Sequence, residues 1–347
     1  MAAYTAIDDP EAYFQTKTYT GNNTDGLAIT FDGDTDMSPN LIWFKVRSHA
    51  HSSCIADTVR GISDGGTKVI HSDLTNAETT CNASTGLKTA DSDGFTLGAE
   101  TSTSGSINGS SKTYVAWCWK ESATSGCDII QFTGNATART ISHSLSAVPK
   151  MILMKNLANG DAQWVVYHVK TGNTQALYLN TTTAPVDVAG FFNDTDPTSS
   201  VFTVGTDTAC NGDGNSQINY AWSEKQGFSK FGTYVGNGNS GTDGTFVYLG
   251  FRPAMVLVKR TNGAKDWKIF DIKRNGYNGS NEVLEPNNSD AEDTTEFLHF
   301  LSNGFKWVIP SSDAKYADVN GEDDTFVYAA FAYSPFVNSE GVPNNAV

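Results

Sequence analysis

The chain has 347 residues, a formal net charge of −15 and only 18% charged side chains. That balance argues against nucleic acid and anionic membrane as partners, because both need clustered Lys and Arg to neutralise phosphate. Thr (39), Asn (28), Gly (32) and aromatic residues (7 Trp, 13 Tyr, 19 Phe) dominate; the first and last suit half-buried pleated surfaces, and Asn and Gly supply turns, so an all-β protein is expected.

Met1-Ala-Ala-Tyr-Thr-Ala-Ile-Asp-Asp-Pro10 has neither a basic nor an apolar leader region, and no run of 18 apolar residues follows, so neither a signal peptide nor membrane insertion is expected. From there four blocks recur three times in the same order. An aromatic-x-Gly-Asn turn appears at Tyr19–Asn22, Phe132–Asn135 and Tyr234–Asn237. A proline-led strand follows, as Pro39-Asn-Leu-Ile-Trp-Phe-Lys45, Pro149-Lys-Met-Ile-Leu-Met-Lys155 and Pro253-Ala-Met-Val-Leu-Val-Lys259. Next come strands sharing one phenylalanine, at Phe95, Phe202 and Phe305. Each unit closes on an aromatic-small-aromatic strand, Trp117-Cys118-Trp119, Tyr220-Ala221-Trp222 and Ala329-Ala330-Phe331, the last short of one aromatic.

The units run 1–121, 122–226 and 227–347, each roughly the size of an ordinary β-sandwich domain. The expected fold is three tandem antiparallel β-sandwiches of jelly-roll or lectin-like type with few short helices. A single pseudo-threefold body whose units share one core is the other arrangement open. Leu41, Trp43 and Lys45 fall on one face of their strand and Ile42 and Phe44 on the other, so that strand should be central. Ser122-Ala-Thr-Ser-Gly126 reads as a flexible connector. Thr75-Asn-Ala-Glu78 and Ser289-Asp-Ala-Glu292 read as capping boxes opening short helices, the second running to Leu301 through Phe297.

Candidate chemistry is sparse. Asp32-Gly-Asp34-Thr-Asp36 and Asn211-Gly-Asp213-Gly-Asn215 start like calcium loops but lack the glycine and closing glutamate, so turn chemistry is expected, with weak calcium capture as the alternative. His49 and His51 would share a strand face but lack a third ligand. Gly61-Ile-Ser63-Asp-Gly65 has a nucleophile-elbow spacing without the strand-then-helix context. Lys45, Lys155 and Lys259 recur at one strand end, either as a row of cations or, as favoured here, as stems covering the sandwich edge with ammonium groups in water. Trp117, Trp119, Trp164, Trp222 and Trp267 could stack on sugars, but repeated strand positions favour the core. Cys54, Cys81, Cys118, Cys127 and Cys210 form no CxxC pair and read as free thiols. With no acid pair at equivalent places, no catalytic, cofactor-binding or metal residues are assigned, and the protein is expected not to be an enzyme. Ligand contacts, if any, are expected in the loops Thr101–Ser111 and Ala209–Ser216.

The segments Ile7-Asp-Asp-Pro-Glu-Ala-Tyr-Phe14, Tyr114-Val-Ala-Trp-Cys-Trp-Lys120, Gly227-Phe-Ser-Lys-Phe-Gly-Thr-Tyr-Val-Gly-Asn237 and Phe246-Val-Tyr-Leu-Gly-Phe-Arg-Pro253 resemble a family of repeat proteins encoded by marine tailed bacteriophages. That resemblance, which covers essentially the whole chain, implies a virion structural protein assembled in the host cytoplasm. A tail fibre or adhesin touching the host surface is the leading reading, a capsid decoration or head-fibre protein the main alternative, and a polysaccharide-degrading enzyme the least favoured. The implied partners are other virion proteins, further copies of the chain (a trimer among the options) and host surface polysaccharide.

Overall fold

The computed structural model describes residues 4–100, 106–274, 278, 282–294, 298–309 and 314–343. Strands dominate in several antiparallel sheets, and among the described residues α-helix is confined to Ala189–Phe192 and Thr208–Asn211. Three main sheets share one plan. An opening strand (Phe14–Thr20, Cys127–Thr133, Ser229–Val235) pairs with a closing strand (Thr113–Trp119, Ser216–Ser223, Thr325–Pro335). The closing strand pairs in turn with a proline strand (Leu41–Val46, Pro149–Asn156, Phe251–Arg260), and that with a fourth strand (Cys54–Asp57, Val165–His168, Lys268–Asp271). Two further strands extend the second sheet.

The register is the same in all three. Leu41 lies opposite Trp119, Met151 opposite Trp222 and Met255 opposite Phe331. Two residues on, the pairs are Trp43 with Trp117, Leu153 with Tyr220 and Leu257 with Ala329. The buried Phe95, Phe202 and Phe305 stand in smaller sheets, opposite Ile29, Ile141 and Val247.

Alternation along the proline strands divides the core. Ile42, Phe44 and Val46 pack with Ile29, Phe95 and Leu97 of the small sheet in their own segment, and Ile152 and Met154 pack likewise with Ile141, Phe202 and Val204. The other faces, carrying Leu41, Trp43, Met151, Leu153, Met255 and Leu257, enter one cluster common to the three segments. At its centre the rings of Trp119, Trp222 and Phe331, one from each closing strand, form a closed triangle with centroids 5.8, 6.3 and 5.5 Å apart. All five tryptophans weighed as sugar platforms are buried.

The recurrent lysines are neither surface stems nor a row of cations for a partner. Lys45, Lys155 and Lys259 are fully buried, and each ammonium donates to one carbonyl of its own segment and one of a neighbour. Lys45 reaches His51 (3.1 Å) and Asn288 (2.6 Å), Lys155 reaches Ala162 (2.8 Å) and Thr75 (2.6 Å), and Lys259 reaches Lys265 and Thr182 (2.8 Å). The first segment thus lays an arm on the second, the second on the third and the third on the first. Burial pushes all three amines down to about 8, while the paired carbonyls favour the charged form.

These arms overturn the helix expectation. Thr75–Glu78 and Ser289–Glu292 form no helix, because their polar groups are spent on the neighbouring segment. The backbone N–H of Glu78 donates to Leu157 (3.0 Å) and that of Glu292 to Arg47 (2.9 Å). Leu298–Leu301 is a strand, and Phe297 lies outside the described residues. The presumed flexible connector is a tight turn, with Gly126 at φ +72° and Ser122 bridged to Cys127, because the opening strand must reverse directly from the preceding closing strand.

A second set of polar contacts seals the seams between segments. Tyr220 donates its hydroxyl to Asp57 at 2.8 Å and accepts from Arg60 at 3.2 Å, and Asp57 and Arg60 are themselves a buried pair. The equivalent Trp117 donates its indole N–H to Asp271 at 3.0 Å, which pairs with Arg274. At the third seam the closing-strand residue is Ala329, and the facing segment carries His168 and Thr171 where the others have Asp and Arg. His168 Nε2 donates to the Tyr328 carbonyl (3.1 Å) and Nδ1 accepts from the Lys170 N–H (3.2 Å). Burial pushes this imidazole down to about 4, and its neutral form supplies the one donor and one acceptor used.

Lys155→Met, which keeps the stem but leaves two buried carbonyls without a donor, should lower unfolding free energy by about 1–3 kcal/mol in urea titrations. His168 has a folded value below its ordinary one, so the unfolded chain binds the extra proton first. Its contribution is complete above about pH 6.5 and lost as the pH falls towards 4. The stability advantage of the wild type over His168→Gln should therefore shrink across that window, as read by urea midpoints at each pH.

Candidate functional site

The third seam, where the ionic lock is missing, opens to solvent. A depression of about 390 Å³ lies between Lys170, Thr171 and Gln175 of the second segment and Thr233, Thr261 and Thr325 of the third. It shares Lys170 and Thr233 with a neighbour of about 450 Å³ that is lined by Phe246 and Tyr248. That one shares Glu224, Lys230 and Tyr248 with a third of about 460 Å³, which Tyr4 borders. Together they make one open groove, hydroxyl-lined at one end and aromatic at the other.

The aromatic side chains sit on the short edge strand Phe246–Tyr248, whose middle residue Val247 points inward while its neighbours face solvent. Phe246 is 45% exposed, Tyr248 54% and Tyr4 57%. Lys230 donates to the Tyr248 carbonyl at 2.9 Å and lies 5.2 Å from the centre of its ring, which fixes the position of the platform. Pairing with the phenylalanine strand sets the equivalents in the other segments. Val247, Ile29 and Ile141 correspond, so Phe246 answers to Ala28 and Thr140, and Tyr248 to Thr30 and Ser142. Lys230 likewise answers to Gln15 and Asp128 in the opening strands. The scaffold is built twice with small or uncharged-to-acidic residues at these places, so it does not need two large rings and an ammonium there.

Glu224 is the one carboxylate among the described lining residues of the three depressions. It accepts the backbone N–H of Phe231 at 3.2 Å, and Glu121 accepts that of Ile129 at 3.1 Å in the equivalent place. Its carboxylate therefore does a turn-closing job found elsewhere in the scaffold. An acid pair of the kind that canonical glycoside cleavage uses is not assembled by these lining residues.

A family model for a domain of unknown function, DUF7483, matches residues 9–335. The chain belongs to the DUF7483 family. No curated protein matches it. The family match spans all three main sheets and the groove lining apart from Tyr4, Phe336 and Val337.

The residues singled out in the sequence lie elsewhere. Asp32 pairs with Lys17 (3.7 Å) and Lys273 (3.1 Å), and among the described residues no three His, Cys, Asp or Glu side chains are grouped to hold a metal ion. His49 lies in a bend and His51 in the irregular chain after it rather than on a strand, with ring centres 6.4 Å apart. Ser63 sits in a turn whose carbonyl accepts from Gly66 and Thr67. The five cysteines are buried thiols outside any disulfide. Residues 101–105 of the first candidate loop lie outside the described residues, and Asn108 beyond them is buried. In the second loop Ala209, Cys210 and Asn211 are buried.

Asn108 and Asn211, with Asn320, prove to be scaffold parts that sequence reading missed. Each side-chain oxygen accepts the backbone N–H of the Asn in the aromatic-x-Gly-Asn turn, at 2.9, 3.1 and 3.4 Å. The glycine before it is required by close approach, since a Cβ on Gly21, Gly134 or Gly236 would lie 2.4, 2.2 or 2.1 Å from a backbone oxygen.

Because the other segments fold with Ala28, Thr30, Thr140 and Ser142 at the platform positions, Phe246→Ala and Tyr248→Thr should each change unfolding free energy by no more than about 0.5 kcal/mol. Chemical denaturation of both variants checks this.

Proposed function

We propose that this protein is a structural component of a tailed-phage virion, of tail-fibre or adhesin type, and that it holds host surface polysaccharide in the groove between its second and third segments without cleaving it. The observation that carries the binding part is the pair Phe246 and Tyr248, exposed on an edge strand at places where the other segments have small side chains. Aromatic faces beside hydroxyl donors suit a sugar ring, which offers C–H bonds to a flat ring and hydroxyls to Thr and Gln. The phage part rests on the sequence resemblance. An acidic chain rich in Thr and Asn, with its apolar strand faces turned inward, suits an exposed particle component that stays soluble before assembly.

Immunogold labelling of intact virions, paired with cell attachment by the purified protein, tests the proposal. The expected result is label on the tail, attachment reduced tenfold or more by the double variant Phe246→Ala/Tyr248→Thr, and no release of oligosaccharides from host envelope. Label on the shell would favour capsid decoration, absence from virions would reject both, and release of oligosaccharides would reject the binding-only reading.

A further inference from the structure

We infer that the groove selects an acidic polysaccharide, with carboxylate or other anionic groups of the ligand read by Lys170 and Lys230 and its sugar rings stacked on Tyr248 and Phe246. This rests on the reading of the groove as a polysaccharide site and adds the ligand's charge.

The protein as a whole carries a net charge of −15. The groove departs from that average, since its charged lining is two lysines and one glutamate, and the carboxylate of Glu224 is already engaged by the Phe231 N–H. Neither lysine is committed to an ion pair. Among the described residues Lys170 and Lys230 meet no carboxylate within 4 Å, unlike Lys17, Lys68, Lys88, Lys112, Lys265 and Lys273; Lys120, Lys150, Lys225 and Lys306 are unpaired too, and what sets Lys170 and Lys230 apart is that they line the groove. Lys230 uses one of its three ammonium donors on the Tyr248 carbonyl, which leaves two and holds the charge beside the aromatic face. Lys170 is exposed at the point where the hydroxyl-lined and aromatic depressions join. A ligand lying along the groove would meet one cation on each side of the seam.

The position of Lys230 strengthens the case. Its counterparts Gln15 and Asp128 are buried and bonded within the scaffold, Gln15 to the carbonyls of Glu11 and Thr35 and Asp128 to the N–H of Ser144. In the third segment the same position turns to a cation on the groove floor, in step with the appearance of the two aromatic side chains. A neutral glycan could accept hydrogen bonds from the two remaining donors, whereas an anionic one would gain ion-pair attraction in addition to them.

The test uses the full chain, with alginate and polygalacturonate as probes and their carboxyl-reduced forms as uncharged controls with the same backbones, followed by calorimetry and by retardation in affinity gels. The expected result is binding of at least one acidic polymer tenfold or more tighter than its reduced form, weakened several-fold between 50 and 300 mM NaCl, and reduced at least fivefold in both Lys170→Ala and Lys230→Gln. Equal binding of acidic and reduced polymers, insensitivity to both lysine variants, or no binding to either acidic polymer would overturn the charge assignment. Host-cell attachment by Phe246→Ala/Tyr248→Thr separates the two levels. If attachment depends on the rings while the charge results fail, the groove reading stands without an acidic ligand; if attachment is indifferent to the rings, the groove reading itself falls.

Discussion

The triangle of Trp119, Trp222 and Phe331 is the contact on which the rest of the molecule depends. Each ring comes from the closing strand of a different sheet, so the three sheets can bury their inner faces only against one another. A two-layer sandwich of main sheet and small sheet covers one face of each proline strand; the second apolar face has no partner within its own segment. Burial of that face is the main favourable term holding the segments together, since apolar area removed from water scales the stabilisation. It also explains why Leu41 to Val46 is buried at every position, without the polar alternation of a sheet facing water.

Apolar burial is non-directional, and it would leave the segments free to slide. The polar contacts supply register. Three buried ammonium groups, each shared between two segments, close a ring of arms in which no segment lacks a neighbour on either side. Buried cations are costly unless hydrogen-bonded, and two carbonyls at each lysine meet that requirement. The Asp–Arg pairs at Asp57 and Asp271 act in the same way, each tied to an aromatic donor of the adjacent segment.

The third seam shows how one departure calls for another. Where the closing strand carries Ala329 there is no ring to donate, and a buried aspartate facing it would lack that partner; His168 instead bonds to a backbone carbonyl, and Thr171 takes the place of the arginine. The groove opens along this same seam, and there the third segment replaces small residues of the common pattern with Phe246 and Tyr248. The buried contacts and the exposed aromatic side chains are thus separated in space: the shared pattern holds the core, and the deviations from it gather where the surface is open.

Much of the scaffold was legible in the sequence. The strand class, the order of the recurrent blocks, the equivalence of Phe95, Phe202 and Phe305, and the two-faced burial of Leu41 to Phe44 follow from side-chain period and spacing, because a strand displays its pattern residue by residue. The groove was legible only in part. Ala28-Ile-Thr30, Thr140-Ile-Ser142 and Phe246-Val-Tyr248 can be aligned once the pairing partner of each phenylalanine is known, and that pairing is non-local. The same limit explains the lysines and the capping boxes. Lys45, Lys155 and Lys259 look like edge stems, and Thr75–Glu78 looks like a helix start, as long as the chain is read one segment at a time. Their partners are carbonyls and N–H groups from another segment, and backbone groups carry no sequence signature. Local pattern therefore determined which residues form strands and which faces are apolar, while only the tertiary structure decided how the three sheets close on one another, since that closure is made by contacts between residues far apart in the chain.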